Sequence, residues 1–143
     1  MRKLLFIGLF VAIAGFAQQP GGAPKQAPFK AKKLSRAELD ELLAEPGKVL
    51  LIDVRRPDEI SSNGGFPVYL SIQAGELEKH LAEIPKDRLI VTVSNHAARG
   101  GRAADLLESK GFQVAGTVGV EDYAADGGNI VRIEIPKQAA RKQ

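Results

Sequence analysis

From about residue 29 onward, apolar positions come in short bursts divided by polar turns, and the bursts alternate between two periods. Ser35 and Glu38 stand in capping-box spacing, so a helix is expected over Arg36 to Leu43 with Leu39, Leu42 and Leu43 on one face. Pro46-Gly47 ends it. Val49-Leu-Leu-Ile-Asp-Val54 is an unbroken apolar run of strand length, the pattern of a strand covered on both faces. Arg55 to Pro67, rich in Gly, Ser, Asn and Pro, reads as a loop, and Val68 to Ile72 as a short strand. Gly75 to Leu81 is expected as a helix closed near Pro85, and Leu89 to Val93 as the next buried strand. Arg99 to Lys110 carries the strongest helical pattern, with Ala103, Leu106 and Leu107 on its apolar face and Gly111 as C-cap. A strand over Val114 to Val118, a helical turn over Glu121 to Ala125 and an alternating edge strand over Ile130 to Ile135 complete the series. Strands that alternate with helices need crossover connections. The expected class is therefore α/β: three layers, a mainly parallel five-stranded sheet with helices on both faces.

The ends have a different composition. Met1 to Ala17 opens with Arg2 and Lys3, continues apolar from Leu4 to about Phe16, and places Gly15 and Ala17 where a signal-peptide cleavage site wants small residues. The apolar run is shorter than the roughly 20 residues of a membrane span. Residues 1–17 are thus expected to be a signal peptide that meets the membrane only in passage. Residues 18–28 are expected to be a disordered linker, 29–136 a single folded domain and 137–143 a basic tail. The expected destination is the bacterial periplasm or the extracellular space. The formal charge of +3 falls to +1 without the first 17 residues, too little to suggest nucleic acid as a partner. The chain has no cysteine, so no disulfide supports it in an oxidising compartment and no thiol can be misoxidised there.

Val91-Thr-Val-Ser94 followed by Asn95-His96-Ala97-Ala98-Arg99-Gly-Gly-Arg reads as strand, tight loop and helix start. Such a turn can aim backbone N–H groups at one point and act as an anion cradle. Three further stretches lie in order around it: Asp53-Val-Arg-Arg-Pro-Asp-Glu59, Gly65-Phe-Pro67 and Val118-Gly-Val-Glu-Asp-Tyr-Ala-Ala-Asp-Gly127. Together, over about residues 33–136, they resemble the single-domain rhodanese-like sulfurtransferases. The family patterns are D-V-R-x-P-x-E, G-H-I-P, C-x-x-G-x-R-S and G-G-x-x-x-W-x-x-x-G. The resemblance implies the rhodanese-like fold, with a ligand loop past the carboxyl ends of the strands. It also implies a nucleophilic cysteine at position 94, where this chain has serine. The loop glycine is Ala97, the serine after the arginine is Gly100, the histidine is Gly64 or Gly65, and the tryptophan is Tyr123.

An alcohol does not replace the thiol. A thiol ionises near pH 8.5, and a helix N-terminus contributes up to about 2 kcal/mol, whereas each pKa unit requires about 1.4. The resemblance therefore points to a non-catalytic, binding or regulatory member. Its candidate ligand contacts are Ser94, Asn95, His96, Ala97, Ala98 and Arg99, its candidate partners a small oxyanion or an exported protein, and it needs no cofactor. Two distant histidines and no cysteine do not make a metal site. The rival reading is a hydrolase of a small phospho- or acyl ester in which His96 serves Ser94 as base, with residual sulfur transfer a further alternative. Asp53, Arg55 and Glu59 are expected to fix the long loop by polar contacts, and His80 to lie at the surface.

Overall fold

The computed structural model describes residues 28–134. The expected signal peptide, nearly all of the expected linker and the basic tail lie outside the described residues.

Alternating side chains on four short strands decide the architecture. Helix α1 (Arg36–Leu43) leads into β1 (Val49–Asp53), α2 (Pro57–Asn63), β2 (Leu70–Ser71), a 3-10 helix (Leu77–Glu83), β3 (Leu89–Ser94), α3 (Ala98–Ser109), β4 (Val114–Gly119) and α4 (Val120–Ala125). The strands lie in the order β2-β1-β3-β4, and each neighbouring pair is parallel. Val49, Leu51, Val91, Val93 and Val118 point to one face, where Leu39 of α1 and Val120 and Tyr123 of α4 cover them. Ile52 and Ile90 point to the other face, against Leu77 of the 3-10 helix and Ala103 and Leu107 of α3. Two apolar layers thus sandwich the sheet, as the continuous apolar strands require.

The capping box at Ser35 and Glu38 forms as its spacing predicts, with Glu38 N donating to Ser35 Oγ and Ser35 N to Glu38 Oε2.

Three expectations need correction. The stretch Arg55 to Pro67 is not all loop, because α2 occupies its middle. Pro57 supplies a pre-set φ at the first helical position and the Glu59 carboxylate accepts from Arg56 N at 3.0 Å. The helix buries one apolar side chain, Ile60, so no helical stripe announced it. The second expected helix is a 3-10 helix that starts at Leu77 and runs to Glu83. Among the described residues, the expected fifth strand over Ile130 to Ile135 shows a single antiparallel bridge, between Gly65 and Val131, and the sheet has four strands. The far edge of the sheet, beside β4, is instead met by the start of the domain. Leu34 N donates to Thr117 O at 2.9 Å and Thr117 N to Lys32 O at 2.8 Å. That strap is pinned further back, where the Asp105 carboxylate accepts from Ala31 N at 2.7 Å and from Lys30 N at 2.9 and 3.1 Å.

Candidate functional site

The period-2 alternation of β3 sends Thr92 and Ser94 to the α3 side of the sheet, where the first turn of that helix meets them. Thr92 Oγ1 donates to Gly100 O at 2.7 Å, and Ser94 Oγ accepts from Gly100 N at 3.1 Å. Ser94 is 1% exposed, so its hydroxyl is packed beneath the helix start and not presented to solvent. The fit depends on Gly100 having no side chain. A Cβ there would lie 2.3 Å from Thr117 Oγ1 and 3.2 Å from Ser94 Oγ.

Between Ser94 and the helix the chain reverses at Ala97, which is buried and has φ +63°. An alanine rarely takes this left-handed conformation, which disfavours it by roughly 1–2 kcal/mol. The turn holds because it is tied on both sides. Ala98 N donates to His96 O at 2.9 Å, Gly101 N to Ala97 O at 2.6 Å, and Glu121 N to Asn95 O at 3.1 Å. The amides of Ala98, Gly100 and Gly101 are therefore already used inside the protein.

Charge next to the loop is also paired internally. Arg99 makes a two-pronged contact with Glu59, Nη1 to Oε2 at 2.8 Å and Nη2 to Oε1 at 2.5 Å. This Arg99 contact, with the Arg56 amide, holds the Glu59 carboxyl down at about 2, against an ordinary value of 4.5. Asn95 bridges two ion pairs, donating from Nδ2 to Glu59 Oε1 at 3.1 Å and accepting at Oδ1 from Arg55 Nη1 at 3.2 Å. Arg55 is fully buried. It meets Asp53 through Nε at 3.0 Å and Nη2 at 2.7 Å and donates to Gly64 O at 2.9 Å. A buried cation is tolerable when, as here, a carboxylate and neutral acceptors surround it. Asp53, Arg55 and Glu59 thus fix the segment after β1, as their polar pattern implied.

The sequence candidates do not converge on one open cradle. Ser94 faces inward, Asn95 is locked in the ion-pair network, Ala97 is buried, and Arg99 turns to Glu59. His96 lies on the surface and turns away from Ser94 toward α4. Its Nε2 is 3.0 Å from Glu121 Oε2 and its Nδ1 3.2 Å from Asp122 Oδ1. Lys33 first, and His96 after it, hold the Asp122 carboxyl below its usual range. No His–Ser pair of the kind a hydrolase uses is formed. Among the described residues no group of three or more His, Cys, Asp and Glu is placed to hold a metal ion.

A strand that delivers residue 94 to a tight loop at the mouth of α3, at the carboxyl end of a parallel sheet, is the arrangement the family resemblance implied. The model of the rhodanese-like domain matches residues 35–123. The chain belongs to the rhodanese-like domain family. Among its relatives, a protein named sulfurtransferase from Allochromatium vinosum is 32% identical over 80 residues, 56% of this chain and 74% of that one. A putative sulfurtransferase from Bacillus subtilis is 29% identical over 90 residues, 63% and 84% of the two chains. Among solved structures, a rhodanese-related protein from Thermoplasma volcanium is similar with a TM-score of 0.62 at 20% identity, covering 73% of this chain and all of that one. That likeness supports the fold.

This rhodanese-like domain departs from the family pattern at the nucleophile, where it has Ser94 and no cysteine anywhere. The structure also shows partners that sequence reasoning missed. Thr92 was readable, since it shares the Ser94 face by simple alternation. Thr117, Glu121 and Asp122 carried no signal, because only the packing of β4 and α4 brings them to the loop. Tyr123, at the family tryptophan position, meets the ring of Phe66 edge-on at 5.2 Å and donates to Asp40 Oδ1 at 2.6 Å. Burial, then the Asp40 carboxylate, pushes its hydroxyl up to about 12.

Proposed function

We propose that this chain is an exported rhodanese-like module that performs no sulfur transfer of its own and acts by binding. One observation carries the reading. The position of the family nucleophile holds an alcohol whose oxygen already accepts a hydrogen bond from Gly100 N and is shut from solvent. Sulfur transfer needs an anionic, accessible sulfur nucleophile. Ser94 is neither ionised nor accessible, and no base stands beside it. The relatives' name, sulfurtransferase, belongs to those proteins.

The binding role has two candidate occupants, an oxyanion or an exported protein. A small oxyanion at the loop must compete with Glu59 for Arg99 and with internal acceptors for the amides of Ala98, Gly100 and Gly101. Its dissociation constant is expected to be no tighter than millimolar. Protein binding, which draws on a wider surface, is the stronger form of the proposal.

The test is a thiosulfate–cyanide sulfur-transfer assay on the native chain and on Ser94→Cys. The native chain is expected to stay at background, and turnover well above background overturns the reading. In Ser94→Cys the thiol takes a covered position, so iodoacetamide labelling should be slower than for an exposed cysteine by tenfold or more, and sulfur transfer should remain low. Fast labelling with restored transfer would show an open cradle that lacks only its sulfur.

A further inference from the structure

Helix α4 turns its first two acidic side chains back toward the loop after β3, and His96 stands between them. Its Nδ1 is hydrogen-bonded to Asp122 Oδ1 at 3.2 Å, and its Nε2 lies within ion-pair distance of Glu121 Oε2, at 3.0 Å. A neutral imidazole has one N–H and one lone pair. It can donate to one of these oxygens, and it then sets its lone pair against the other. Both contacts are attractive together only for the imidazolium.

The two carboxylates are held by other elements as well. Asn63 of α2 donates to Glu121 Oε1 at 2.9 Å, and Lys33 of the strap lies 2.7 Å from Asp122 Oδ2. The backbone is close at the same place. Glu121 N donates to Asn95 O, and a Cβ at Gly119 would lie 2.8 Å from Asn95 O and 2.9 Å from His96 Cα. The titratable groups around the imidazole are therefore Glu121 and Asp122 of α4, with Lys33 behind Asp122. Arg99, in the first turn of α3, is engaged by Glu59.

We propose that His96 is a proton-operated latch that, when charged, fastens the 95–97 loop to α4 and, when neutral, lets it loosen. Imidazole gains its charge between about pH 5 and 8. The loop is fastened on the acid side of that range and freed on the alkaline side. The latch concerns the motion of the loop itself and stands whether or not the loop takes a ligand.

The test is exchange with water of the Ala98 and Glu121 amides, followed by NMR in the full chain and in His96→Gln at pH 5.5 and pH 8. Comparison at equal pH cancels the intrinsic rate. At pH 5.5 the variant should exchange about two- to fivefold faster than the native chain, the range expected for losing one or two exposed ion pairs. At pH 8 the two should agree. Glu121→Gln, read at the Ala98 amide, whose intrinsic rate it leaves unchanged, should show an intermediate difference at pH 5.5. His80→Gln, which removes the contact with Glu83 inside the 3-10 helix, should leave the exchange of these amides unchanged at both pH values. Equal rates at pH 5.5, or the same ratio at both pH values, would overturn the latch. The second result would mean that the imidazole acts only by its shape.

Discussion

One atom separates Ser94 from a cysteine, yet the surroundings have changed with it. Gly100 stands where the family pattern has serine, and the Thr117 hydroxyl fills the space that a side chain at 100 would need. The two positions are therefore coupled. Gly100→Ala alone should destabilise the domain by about 1–3 kcal/mol through overpacking, despite the better helix propensity of alanine. Adding Thr117→Ala removes the oxygen that the new Cβ would strike, so the double variant should recover much of that loss. Urea unfolding of the four members of the cycle checks this, and simple additivity would rule the coupling out. Ala97 shows the same scale from the other side. The sequence placed a non-glycine where the family has glycine, and the left-handed turn forms anyway because hydrogen bonds from Ala98 and Gly101 hold it.

Among the elements, those with agreeing local signals were legible. Helix α1 has its capping box, β1 and β3 their unbroken apolar runs, and α3 its stripe of Ala103, Leu106 and Leu107. Helix α2 was hidden because one buried residue makes no stripe. Ile130 to Ile135 misled because, among the described residues, its alternation is used at a single bridge, Val131 to Gly65, and joins no strand of the sheet. The site was legible in position and illegible in state. Residue 94 sits where the resemblance implied, but the pairing of Arg99 with Glu59 joins α3 to α2, and nothing local in sequence records it. That pairing makes a prediction about acid. Glu59 takes a proton near 4.5 when unfolded and near 2 when folded, so the unfolded chain binds it first as pH falls. The stabilisation is complete above about pH 4.5 and is lost progressively toward pH 2. Glu59→Gln should lower stability at pH 7 by about 1–3 kcal/mol and flatten the decline through that acid window. An unchanged slope in urea titrations between pH 5 and 2.5 would show that the tie contributes nothing.

At the scale of the molecule, the sheet is bounded by unlike edges. On one side β2 contributes two paired residues, and Val68 just before it is 77% exposed. On the other side the strap from Phe29 to Leu34 lies along β4 and α3. The ring of Phe29 occupies the space that a side chain at Gly101 would need, and Asp105 grips the amides of Lys30 and Ala31. Asp105→Ala should therefore lower stability by about 1–3 kcal/mol and expose the strap. Trypsin cleavage after Lys30, Lys32 or Lys33 should then become faster than in the native chain, and equal cleavage rates would show that the carboxylate is not what holds the strap down.

The strap also orders events in time. Lys30 and the carboxylate that clasps it are 75 positions apart, and the Lys33–Thr117 bridge spans still more of the chain. A chain made from its amino end carries this first ribbon of the domain long before the groove that receives it exists. Closure must wait until synthesis has passed Thr117. Until then the strap has no edge to lie on and the β3 side of the sheet stays open, a state prone to association.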